Sequence, residues 1–81
     1  MGMRYVYILE SLTHAGFHYT GMTTDLRARF QKHNSGSSRH TAKYRPWKIE
    51  TYIAFADDQK AIAFELYLKS GSGRAFARKR L

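Results

Sequence analysis

Cysteine is absent from the 81-residue chain, which removes disulfides, thiolate zinc sites and a cysteine nucleophile together. Four histidines, His14, His18, His33 and His40, remain as possible metal ligands. Acidic residues are scarce: six Asp and Glu stand against fourteen Lys and Arg, a formal charge of +8 at pH 7. Long apolar runs are missing too. Tyr5-Val6-Tyr7-Ile8-Leu9 falls far short of the roughly 20 residues of a membrane helix and is too short for a signal-peptide core. The chain is therefore expected to be cytoplasmic and to have no membrane partner. Met1-Gly2 opens like a myristoylation signal, but Val6 stands where that signal needs Ser or Thr. No internal repeat or low-complexity block occurs. A chain this short buries only about 60% of its unfolded surface, so one domain spanning 1–81 is expected, with a core over about 4–69 and a basic tail over 70–81.

What is present points to a folded basic protein. The composition, 43% hydrophobic and 15% aromatic, is too apolar for a disordered tail. The positive charge favours a polyanionic partner, nucleic acid first.

Arg4 to Glu10 is apolar on alternate and intervening positions alike and reads as a central strand. Turn residues Ser11 to Gly16 lead into a second strand near Phe17 to Met22, and a hairpin symmetric about Thr13 would set Tyr7 opposite Tyr19. Thr23 or Thr24 can cap a helix from Asp25 to about Asn34, with Leu26, Phe30 and His33 on its apolar stripe and Arg29 beside it. Gly36 to Pro46 reads as an exposed loop. Trp47 to Phe55, apolar at odd positions apart from Thr51, reads as a half-buried third strand. Asp57 or Asp58 can cap a second helix to about Lys69, and the basic segment from Gly71 onward is a short helix or a loose tail. The expected fold is α/β (α+β): a small three-stranded antiparallel sheet flanked by helices in the order ββαβα.

Glu65 draws attention because its helical position lies among Ala61, Ile62 and Leu68. A carboxylate there needs a cation, donors or a proton. It is either half of an ion pair with an arginine or a metal ligand, since Mg²⁺ takes one or two carboxylates and keeps waters or phosphate oxygens. Arg29 and His33, one turn apart, can face the same pocket, where an arginine fork suits the charge of a transferring phosphoryl group. A tyrosine acting as base would need help from a cation, because a phenol with a reference pKa of about 10 is roughly 0.1% ionised at pH 7. The interleaved cations and aromatics Arg39, His40, Lys43, Tyr44, Arg45 and Lys48, with Arg27 and the tail residues Arg74, Arg78, Lys79 and Arg80, suit backbone tracking and base stacking on nucleic acid.

Together these residues resemble the GIY-YIG nuclease family, in particular its small stand-alone bacterial members. Tyr5-Val6-Tyr7 stands where the family has Gly-Ile-Tyr, and Tyr19-Thr20-Gly21 where it has Tyr-Ile-Gly, with 11 residues between. Tyr5 replaces the motif glycine and Thr20 the motif isoleucine. The asparagine that many members carry after the glutamate has no counterpart, the last Asn being Asn34. The resemblance implies Mg²⁺- or Mn²⁺-dependent hydrolysis of DNA phosphodiesters, with Tyr7, Tyr19, Arg29, His33 and Glu65 catalytic and Glu65 holding the metal. Either tyrosine would activate water. The expectation is a structure-selective DNA endonuclease of repair or recombination, with a homodimer or a protein partner supplying specificity. The alternative is a nucleic-acid-binding module on the same scaffold that does not cut.

Overall fold

The computed structural model of the chain describes residues 2–81. β1 (Arg4–Ser11) and β2 (His18–Thr23) form a hairpin, and α1 (Leu26–Ser35) follows. A 3₁₀ turn (Ala42–Tyr44) leads into β3 (Trp47–Phe55), α2 (Asp58–Leu68) and α3 (Gly71–Arg80). The sheet is three-stranded and antiparallel in the order β2-β1-β3, so the two-sided apolar strand is central, as its composition requires.

Successive strand residues point to opposite faces, and β1 builds a core on each. Val6 and Ile8 pack with Ala61 and Leu68 of α2 and with Phe76 and Ala77 of α3. Tyr7 and Leu9 pack with Trp47, Tyr19, Tyr44 and the α1 residues Leu26 and Phe30. The molecule is thus a helix layer on either side of one sheet.

The hairpin register differs from the expected one by two residues. Tyr7 lies opposite Gly21, and Tyr19 opposite Leu9. The pairing centres on His14 rather than Thr13, because the turn lies one residue further along the chain. A two-residue slip keeps the face, so both tyrosines remain on the α1 side.

β3 carries a bulge: Leu9 faces Ile49 but Ile8 faces Thr51, leaving Glu50 as the extra residue. Trp47 and Ile49 therefore point to the α1 layer, while Ile53 and Phe55 point to the α2–α3 layer. The odd positions are the more buried ones throughout, but they serve two cores rather than one.

Asp25, not Thr23 or Thr24, caps α1, its carboxylate accepting from the Ala28 N–H, and Asp57 caps α2 through the Lys60 N–H. Thr23 is occupied just outside α1, where its hydroxyl accepts from the Asp25 N–H. The basic tail is a ten-residue helix whose Ser70 cap accepts from the Gly73 N–H. Gly73 is buried, and a Cβ there would collide with the Tyr67 carbonyl. Only glycine lets α3 fold back so closely onto α2, which seats Phe76 against the core. Ile62, assigned by helical position to the core, is 37% exposed, because the sheet lies on the Ala61–Leu68 side of α2.

Candidate active site

Tyr7 lies at the centre of an aromatic cluster on the α1 face. Its ring centroid is 5.8 Å from that of His33 and 6.4 Å from that of Tyr19, and the Tyr19 and His33 rings are 5.1 Å apart. Gly21 makes this possible. The Tyr7 phenol lies across β2 over Gly21, where a Cβ would meet its hydroxyl and ring carbon directly. Gly21→Ala is therefore expected to push Tyr7 off His33 and to destabilise the fold by about 1–3 kcal/mol, the usual cost of overpacking, as read by chemical denaturation. Unchanged stability would mean that the phenol moves aside freely.

The Tyr7 hydroxyl is 2.8 Å from His33 Nε2, and His33 Nδ1 is 2.8 Å from the Thr41 hydroxyl. All three side chains are buried; Tyr7 and His33 are 1% and 2% exposed. Burial pushes the Tyr7 phenol up to about 12, with Tyr19 adding to the effect, the nearby Arg29 guanidinium opposing it and Glu65 contributing a last small push upward. The same burial, aided by the charges of Arg29 and Lys32, holds His33 below the ordinary histidine range. The imidazole is neutral at physiological pH.

Thr41 is what the sequence did not disclose. The segment from Gly36 to Pro46, read as an exposed loop, sends Thr41 into the core, where its carbonyl accepts from the Trp47 indole N–H at 2.9 Å. No periodicity marks a single hydroxyl in a polar loop. Asn34 ties the end of α1 to β3 by bonding both the N–H and the carbonyl of Trp47.

Tyr19 and Arg29 are half-buried, with solvent on one side. Glu65 sits on α2, in the other layer, its side chain 14% exposed and its carboxylate 2.7 Å from Lys69 Nζ. The cation that offsets this carboxylate is thus a lysine one turn on, not an arginine. Glu65 meets the Tyr7 group through its charge alone. A hard divalent cation binds carboxylate oxygen and tolerates a site completed by water. Glu65, sheltered but open on one side and shared with a single lysine, fits such an ion.

The expected nucleic-acid residues do not form one patch. Arg27, Arg39, His40 and Lys43 are exposed on the α1 side. Arg74 and Arg78 line a groove on the other side with Phe17, His18 and Lys69, and Lys79 and Arg80 are exposed further along α3. Tyr44 is stacked on Phe17 at 3.9 Å, the Arg45 guanidinium rests against Gly36 and the Ala42 carbonyl, and Lys48 pairs with Glu10 at 3.4 Å. These three have structural contacts of their own. Glu10, His18 and Glu50 bring ligand-capable atoms within 4.8 Å of one another at the hairpin end, on the face opposite Tyr19.

A three-stranded sheet with paired motif tyrosines on one face, an arginine on the following helix and a glutamate on the helix after β3 defines the class: the chain belongs to the GIY-YIG family, whose catalytic-domain profile matches residues 3–79. Its relatives include UPF0213 proteins of Cupriavidus pinatubonensis, 35% identical over 80% of this chain and 71% of that one, and of Halalkalibacterium halodurans, 38% identical over 86% and 73%. The solution NMR structure of a UPF0213 protein from Bacillus halodurans superposes with a TM-score of 0.58 at 35% identity, covering 94% of this chain and 80% of that one. Among the described residues no helix is long and apolar enough to cross a membrane.

Proposed function

We propose that this protein is a divalent-metal-dependent endonuclease that hydrolyses DNA phosphodiester bonds, with Tyr19, Arg29 and Glu65 touching the reacting groups and Tyr7 and His33 positioning them. The observation that carries this reading is the division of the five residues by exposure. Tyr19, Arg29 and Glu65 keep an open side, while Tyr7 and His33 are buried and locked together.

Tyr19 presents its hydroxyl to the attacking water. Arg29 offers a planar fork whose two parallel N–H groups match the oxygens of a phosphate as charge builds there. Tyr7 backs Arg29 with a hydroxyl oxygen held in the dry interior. Glu65 would hold Mg²⁺ or Mn²⁺, which supplies Lewis-acid stabilisation of phosphate charge. The cations spread over both helix layers suit phosphate contacts, which position a duplex without reading its sequence. We accordingly propose selection by DNA structure, as repair or recombination requires.

A non-cutting binding module is the second reading, favoured by one observation: Lys69 already occupies the Glu65 carboxylate. Incubation with supercoiled plasmid and with branched and single-stranded DNA separates the two. The nuclease reading expects nicking with Mg²⁺ or Mn²⁺ that stops on chelation and is lost in Arg29→Ala. Binding that weakens steeply with salt, without any cleavage, establishes the module instead.

A further inference from the structure

We propose that Thr41 is a positioning residue of this site, fixing the tautomer of His33 and thereby the direction in which the Tyr7 hydroxyl donates. The inference deepens the nuclease reading and takes its functional meaning from it.

Thr41 Oγ1 lies 3.4 Å from the Ser38 carbonyl and 2.8 Å from His33 Nδ1. The Ser38 carbonyl, which also takes the Thr41 and Ala42 N–H groups, only accepts, so it offers the Thr41 hydrogen a place away from His33 and leaves the Thr41 oxygen free to accept from Nδ1–H. A neutral imidazole carries a single N–H, which leaves Nε2 bare. Tyr7, 2.8 Å away, must therefore donate to it. With its hydrogen spent, the Tyr7 oxygen presents only lone pairs to its surroundings. That is the polarity that suits a neighbouring guanidinium, which has donors alone.

The opposite arrangement fails at the far end of the chain. If Thr41 donated to Nδ1, Nε2–H would point at the Tyr7 oxygen and the Tyr7 hydrogen would turn outward. Among the described residues the Tyr7 hydroxyl has no second acceptor, and its charged neighbour Arg29 is a donor. One direction satisfies every group from Ser38 to Arg29. The other buries a hydrogen facing a cation.

Thr41 also ties two parts of the molecule together. It is the one fully buried residue between Gly36 and Pro46, and it sits between the exposed cations Arg39 and Lys43. The segment that offers charge to a polyanion is thus fastened to the imidazole beneath Tyr7.

The test is the tautomer of His33, read from two-bond ¹H–¹⁵N imidazole correlations in the full chain. Wild type is expected to show Nδ1–H. Thr41→Val keeps the shape and removes the hydroxyl, so the imidazole should shift toward Nε2–H, whereas Thr41→Ser should retain the wild-type pattern. DNA cleavage by Thr41→Val should fall by about 10-fold or more, as misplacement of groups that orient a reaction does, and Thr41→Ser should restore most of it. An Nε2–H wild type, or a valine variant with an unchanged tautomer, overturns the proposal. If Thr41→Val does not fold, wild type and Thr41→Ser still decide it, since both must show Nδ1–H. The spectrum does not depend on cleavage: an Nδ1–H wild type that cuts no DNA leaves the role of Thr41 in place and removes the nuclease reading alone.

Discussion

Glu65→Gln is expected to abolish metal-dependent cleavage, lowering the rate by at least about 100-fold, while the protein stays folded. Glutamine keeps the volume but replaces a charged carboxylate with a neutral amide, a poor ligand for a hard cation. Loss of an outer-shell partner of a metal site already costs about 10–100-fold, and loss of the ligand itself should exceed that. Folding should hardly change. The ion pair given up, Glu65 with Lys69 at 2.7 Å, spans one helical turn, and its lysine is half exposed. Such pairs contribute only about 0.3–0.5 kcal/mol. Circular dichroism and a Mg²⁺ titration of plasmid nicking check both halves. Lys69→Ala should act in the opposite sense, lowering the Mg²⁺ concentration needed, because the ammonium no longer competes for the carboxylate. A glutamine variant that cuts like wild type would remove Glu65 from the metal site.

The second large effect separates the two tyrosines. Tyr19→Phe should lower the cleavage rate by about 10²–10⁴-fold, the range for a positioned proton-transfer group, with little change in stability. Tyr7→Phe should behave differently. The Tyr7 hydroxyl is sealed from water, committed to His33 and protonated up to about pH 12, so it is no base at neutral pH. Its removal leaves the buried Nε2 of His33 without a donor, costing about 1–3 kcal/mol, and slows the reaction less than Tyr19→Phe. The alkaline limb of stability follows in sign. The phenol ionises near 10 in the unfolded chain and near 12 in the folded one, so unfolded molecules lose their proton first. Stability therefore falls as pH rises from about 10 toward 12. Tyr7→Phe should flatten that limb. A larger rate loss in Tyr7→Phe than in Tyr19→Phe would reverse the assignment.

The residues themselves determined the outline of this protein. Apolar residues at every position of Val6 to Leu9 demand cover on both faces, so a central strand with a helix layer on each side follows from burial alone. A capping acid before α2, a helix-ending Gly36 and period-two alternation placed β2, α1, β3 and α2 to within a residue, whereas the segment from Gly71 stayed open between a helix and a tail until packing made it α3. Strand and helix periods put Tyr7 with Tyr19 on one sheet face and Arg29 with His33 on one side of α1, the two-residue slip in the hairpin left that face unchanged, and it was the family resemblance that joined the two pairs into one site.

Tertiary structure decided what the periods do not encode. Alternation records that Trp47 and Phe55 turn inward, yet only the bulge at Glu50 reveals that they serve opposite cores. The count of charges says that Glu65 needs a cation; packing selects Lys69. Above all, hydrogen-bond partners are settled by contacts between residues distant in the chain: Tyr7 finds His33 across 26 positions, and His33 finds Thr41 across 8. A hydroxyl in a polar loop carries no local mark of that. Local pattern sets which atoms leave water, whereas the direction of each buried proton is fixed only when the whole chain has closed around it.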